Sequence, residues 1–128
     1  MKHLLLLTLL LLAGASQAQR MYNASGSQMG RVDGDRYYSA SGSAIGRDDG
    51  VRIYSSSGSQ MGRLEGDRVY SKSGSLMGRV DGDRLYSSSG SLIGRMDGNR
   101  IYDGSGRLLA RADGLRRRQI IVFFYFFL

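Results

Sequence analysis

The sequence contains no cysteine, proline or tryptophan, and its one histidine is His3. Each absence removes something. Without cysteine there is no disulfide, so a chain this small must take its stability from packing or from closure of its own elements. Without cysteine, and without histidine past position 3, neither Ser-His-Asp nor Cys-His nucleophilic sites can form, and the imidazole and thiolate shells usual for zinc, copper or iron are missing. Lysine is almost absent too, since only Lys2 and Lys72 occur, so positive charge rests on arginine. With no proline, the turns fall to glycine, of which there are 19.

The chain opens with Lys2 and His3, a leucine-rich run from Leu4 to Leu12, and small residues at Ser16 and Ala18. That pattern predicts a secretory signal peptide over residues 1–18, forming a signal helix and cleaved after Ala18. The apolar run is well short of the roughly 20 residues a spanning helix needs. The expected destination is export, to the periplasm, the cell surface or the medium.

From Tyr22 a sixteen-residue sentence recurs, opened by Tyr22, Tyr38, Tyr54, Tyr70, Tyr86 and Tyr102; the copy YSSSGSLIGRMDGNRI begins at Tyr86. A period this short is one supersecondary unit that cannot bury a core alone, so the copies must stack or ring. Each holds a Ser-Gly signal, as at Ser41-Gly42, and about eight residues later an acid-Gly signal, as at Asp33-Gly34. The expected fold is therefore all-β, with antiparallel hairpins arranged radially in a closed array over residues 19–115.

Register follows from charge. Asp33-Gly34 as the turn pair would set Arg31 against Arg36, whereas Gly34-Asp35 sets Asp33 against Arg36, Val32 against Tyr37 and Arg31 against Tyr38. The second choice predicts a Gly-first type II′ turn. A two-residue Ser-Gly turn at the other end sets Tyr37 against Gly46 and Tyr38 against Ile45. One face then carries Gly30, Val32 and Tyr37 as core. The other carries Met29, Arg31, Arg36 and Tyr38, with glycine at 30, 46, 62, 78 and 94 allowing close approach on the core face. Asp48 stands where other copies have Val32, Leu64, Val80 and Met96, which predicts weaker burial there. Each repeat acid is expected to be held ionised by the arginine three positions on.

Residues 116–128, RRRQIIVFFYFFL, belong to no copy and hold all four phenylalanines. Large apolar runs lie inside, so the expectation is a final strand or plug of the same domain. The alternatives are a sorting signal and a self-associating or membrane-docking segment.

The repeat Y-S-x-S-G-S-x-φ-G-R-φ-D-G-x-R-φ (φ, apolar), after an export signal and before an arginine-then-aromatic end, resembles the bacterial five-fold β-flower family. The resemblance implies small exported proteins built of β-hairpin petals around an axis, and it implies no catalytic residues. Six copies stand against a five-fold name.

Function is expected to be non-enzymatic: a structural or ligand-binding module with no cofactor, metal or nucleic acid partner. Asp33-Gly34-Asp35 lacks the further oxygens that calcium requires. The candidate binding ladder is Tyr38, Tyr54, Tyr70, Tyr86 and Tyr102 with Arg47, Arg63, Arg79 and Arg95, suited to a carbohydrate or another envelope component. Sealing hairpin to hairpin is the plainer role for the same ladder. Envelope or membrane association through the aromatic tail is the second reading, and Asp103 is the one acid that looks unpaired.

Overall fold

A computed structural model describes residues 19–128; the expected signal peptide and its helix lie outside the described residues. Twelve strands follow one another: β1 Gln19–Asn23, β2 Gln28–Asp33, β3 Arg36–Ser39, β4 Ala44–Asp48, β5 Arg52–Ser55, β6 Gln60–Glu65, β7 Arg68–Ser71, β8 Leu76–Asp81, β9 Arg84–Ser87, β10 Leu92–Asp97, β11 Arg100–Asp103 and β12 Leu108–Asp113. Each pairs antiparallel with the next, and β1 pairs with β12, so the sheet is a closed barrel with no edge.

Closure explains the copy number. Met21 lies opposite Ala112 and Tyr22 opposite Arg111, as Tyr37 lies opposite Val32 and Tyr38 opposite Arg31. The sixth acid-Gly hairpin is thus split between the two ends of the barrel sequence, and β1 supplies the half that β12 lacks. Five such hairpins are continuous in the chain, and the sixth is made by closing the ring.

The acid-Gly turns have the register that charge predicts, with Asp33 opposite Arg36, Glu65 opposite Arg68, Asp81 opposite Arg84 and Asp97 opposite Arg100. Gly34 has φ 63°, as the first position of a type II′ turn requires. The Ser-Gly ends differ from expectation. Ser39 N donates to Ser43 O and Gly42 N to Ser39 O, which makes a three-residue loop closed by Gly42 at φ 92°. Tyr38 then faces Ala44 rather than Ile45, and the register shift at Ile45 restores Tyr37 opposite Gly46. The bulge absorbs the residue that the loop displaces, so every side chain beyond it keeps its face.

The inward face carries Val32, Tyr37, Ile53, Leu64, Val69, Val80, Leu85, Met96 and Ile101, all buried. Met29 and its counterparts Ile45, Met61, Met77 and Ile93, placed by parity on the outer face, pack against this core from the bulges.

The lumen is filled by the tail, which is helical and not a strand. An α-helix, α1 Arg117–Val122, runs into a π-helical turn, Phe123–Phe127. The physical reason is closure: a barrel without edges offers an inner strand nothing to pair with, so a central segment must satisfy its own N–H and C=O groups. Ile120, Ile121, Val122 and Phe123 are buried, each contributing about 1.5–3 kcal/mol of apolar transfer.

The next residues meet the barrel at glycine. A Cβ at Gly30 would sit 2.9 Å from the Phe123 ring, at Gly62 2.8 Å from Phe126, at Gly78 2.7 Å from Tyr125 and at Gly94 2.7 Å from Phe124; at Gly46 it would meet Phe127 closer still. Five successive aromatics thus occupy five glycine seats. Ala110 holds the sixth position, between Gly94 and Gly30 around the ring, where a buried methyl replaces the open seat. A π turn closes with i→i+5 bonds, and so lets five consecutive side chains radiate from one turn.

At the mouth formed by the acid-Gly turns, Arg118 fixes the tail. Its Nε donates to Asp48 Oδ2 at 2.8 Å, Nη2 to Asp48 Oδ1 at 2.9 Å and Nη1 to Leu64 O at 3.0 Å. Asp48 is therefore buried, at 8% exposure, contrary to the weak burial expected of it. Gln119 adds a bond from Nε2 to Gly34 O and accepts one from Arg116 N.

Candidate functional site: an outward arginine and tyrosine girdle

Side-chain alternation that turns Val32 and Tyr37 inward turns Arg31 and Tyr38 outward, and their cross-strand pairing brings guanidinium over ring. The distance from Arg31 Cζ to the Tyr38 ring centre is 4.1 Å. Every expected ladder residue is engaged in the same way: Arg47 over Tyr54 at 4.5 Å, Arg63 over Tyr70 at 4.1 Å, Arg79 over Tyr86 at 4.6 Å and Arg95 over Tyr102 at 4.6 Å. Arg111 over Tyr22 at 4.4 Å completes the circle across the ring closure. Each contact is worth about 0.5–1 kcal/mol at an exposed site. The arginine covers one face of each ring, so stacking on sugar is restricted to what the other face leaves open.

The carboxylates take partners other than those expected. Although Asp81 lies opposite Arg84, the close ion pairs run backward by two residues, Glu65 to Arg63 at 2.8 Å and Asp113 to Arg111 at 2.9 Å, with Asp97 to Arg95 at 3.7 Å. These bind the acid to the arginine already lying on tyrosine. Arg111 holds the Asp113 carboxyl below the usual carboxylate range, and its own pKa is raised in return.

Asp103 is not unpaired. It accepts bonds from Ser105 Oγ, Ser105 N and Arg107 N, with the Arg107 guanidinium at 3.6 Å. It caps the last Ser-Gly loop, as Asn23 caps the first through Ser25 and Ser27. These bonds, the Ser105 hydroxyl foremost, lower its pKa. Asp49 is likewise lowered by the backbone N–H groups of Val51 and Arg52. Neither carboxyl is poised as a general acid.

A second set of arginines lies on the same face. At each junction between acid-Gly hairpins two arginines stand directly opposite one another: Arg20 and Arg31, Arg36 and Arg47, Arg52 and Arg63, Arg68 and Arg79, Arg84 and Arg95, Arg100 and Arg111. The first member of each pair is exposed. Of the twelve, only Arg63, Arg95 and Arg111 reach a carboxylate within 4 Å among the described residues. Twelve arginines thus ring the outside, the reverse of the apolar outer band of a membrane-spanning barrel.

One break in the repeat lies beside the tail's anchor. At the acid-Gly mouth Tyr37, Asp48, Asp49 and Gly50 line a half-open cleft with Arg116, Arg118 and Gln119. Tyr37 replaces the aliphatic residue of other copies, stacks on Phe127 at 5.2 Å and meets Phe123 at 5.9 Å. Burial raises its phenol pKa strongly, with Asp48 adding to the shift. These residues serve the tail's anchorage.

Comparison with protein families matches the chain to the model described as 5-fold beta-flower protein, over residues 18–128. Neither the curated proteins nor the solved structures give a match.

Proposed function

The chain belongs to the 5-fold beta-flower protein family, and on that premise we propose that it is a non-enzymatic exported module that acts by binding through its outer girdle. The observation that carries this reading is the filled lumen. Small barrels that hold ligands do so in an interior cavity, and here the interior holds the protein's own tail. Binding chemistry is then left to the outer wall, where one arginine-on-tyrosine unit recurs six times. Six weak contacts to a repeating ligand combine into useful avidity. A carbohydrate or other polymer of the cell envelope has the required repetition, and the leader-like residues 1–18 would deliver the protein to it.

The test is binding of the purified protein to a panel of envelope polysaccharides, with a variant carrying Arg47→Gln, Arg79→Gln and Arg95→Gln. Binding should fall with the variant while the fold persists. Undiminished binding would move the site off the girdle. Association through the aromatic tail would require the five rings to leave their seats, and no observation favours it.

A further inference from the structure

We infer that the girdle's ligand is a linear acidic polysaccharide, whose anionic groups each meet one opposed arginine pair. This rests on the reading of the girdle as the binding surface and adds the ligand's chemistry. Like charges directly opposite across two strands are unfavourable. The barrel nevertheless repeats that arrangement six times, at the junctions typified by Arg36 and Arg47 and by Arg68 and Arg79. First members also lie opposite an acid across their own hairpins, as Arg36 does Asp33 and Arg84 does Asp81, but that pairing does not require a second arginine on the other side. The inner face is made by other residues, and the tyrosine stack needs only the second member of each pair. The exposed first members, such as Arg36, Arg68 and Arg84, have no carboxylate within 4 Å among the described residues.

Two arginines opposed across neighbouring strands can offer donors to one carboxylate, sulfate or phosphate, and where the second member is held by its own acid, as at Arg63, Arg95 and Arg111, the exposed first member supplies the contact. Neighbouring strands lie about 4.8 Å apart, so the pairs recur roughly every 10 Å around the wall. The periodic requirement selects a polymer over a single anion. The convex shape selects a flexible chain, because a flat bilayer or a stiff duplex touches only one or two of six pairs at a time. Single-stranded nucleic acid is disfavoured because its bases need aromatic faces to stack on, and each tyrosine already has one face under arginine.

The experiment titrates the full chain calorimetrically with polygalacturonate, galacturonate monomer, dextran, duplex DNA and phosphatidylglycerol vesicles. Each is run at about 0.05 M and about 0.2 M salt, where polyanion binding separates from neutral recognition. Polygalacturonate should bind saturably and weaken about tenfold or more at the higher salt. The monomer should bind at least about a hundredfold more weakly, as expected when affinity comes from linked contacts, and dextran should not bind. The variant Arg36→Gln, Arg68→Gln, Arg84→Gln should lose about tenfold in polygalacturonate affinity with its melting temperature little changed, because each substitution relieves a like-charge neighbour and gives up an acid opposite it, Asp33, Glu65 or Asp81. Unchanged affinity in that variant overturns the inference, as does tighter binding of DNA or vesicles. Equal binding of dextran, lost when the Arg47, Arg79 and Arg95 variant is tested, overturns the acidic ligand and leaves the girdle standing. Failure of every polysaccharide overturns both.

Discussion

At Gly62 the volume a side chain would need is already taken, by the Phe126 ring on one side and the Tyr70 carbonyl on the other. Gly62→Ala should therefore destabilise by about 1–3 kcal/mol, the usual cost of overpacking, read from chemical denaturation. Ala110→Gly is the control. The five rings already have their glycine seats, so the loss should stay within about 1 kcal/mol, the backbone entropy of glycine. Asp48→Val restores the repeat's own residue yet leaves Arg118 without its carboxylate. The expected cost is about 3 kcal/mol, the low end for a broken buried pair, because Arg118 is 32% exposed. Replacing Arg118 by leucine as well should recover part of it, and a fully additive double mutant would show the pair to be uncoupled. Tyr125 carries the pH prediction. Its hydroxyl donates to Tyr86 O at 2.7 Å, and burial pushes its pKa up to about 12 from 10.0; burial raises Tyr37 in the same direction. Both phenols are neutral below pH 10 in either state, so their stabilisation is complete there. Between pH 10 and 12 the unfolded chain ionises first and stability falls. Melting temperatures across that range should decline, less steeply in Tyr125→Phe.

Among the elements, the tail decides most. Ending the chain at Arg118 keeps the ion pair but empties all five glycine seats, and cooperative unfolding should be lost, seen as a broad transition by near-ultraviolet circular dichroism. A sharp transition in the truncated chain would show that the ring stands without its filling. For the tail, of the two forms expected, strand or plug, the structure shows the plug, in helical form. Ile, Val, Phe and Tyr favour strands, and nine apolar residues in a row suggest one, but propensity yields to the closed sheet, which has no edge to offer. The usable signal was the match between five consecutive aromatics and five repeated glycines, with Ala110 marking the exception. The acid-Gly register was legible because Asp33 and Arg36 complement each other in charge. The Ser-Gly loop was not, since a three-residue loop with a bulge at Ile45 preserves the same alternation as the two-residue turn. Register did contain the arginine pairs, for Tyr37 opposite Gly46 forces Arg36 opposite Arg47. Asp48 read as a flaw in the core because its partner lies 70 residues away in a segment outside the repeat.

For the whole molecule, the closing contact is β1 with β12, and it spans the length of the repeat array. Deleting Gln19–Asn23 should expose two strand edges, and the expected outcome is self-association on size-exclusion chromatography, as unpaired edges recruit one another. A monomer of unchanged stability would mean that the remaining strands can close an eleven-membered ring. The division between a repetitive wall and a filling that repeats only five times has a further effect. A wheel of six similar hairpins presents its hub with six orientations, and choosing among equal orientations carries an entropy of RT ln 6, about 1 kcal/mol. Unless something distinguishes them, the protein would be a mixture of six rotamers of one whole molecule. Two unequal spokes, the alanine at 110 and the carboxylate at 48, remove that ambiguity: one tells the hub where no ring can go, the other where its arginine must. Near-symmetry repeats the outer girdle sixfold, and two departures from it give the molecule a single orientation.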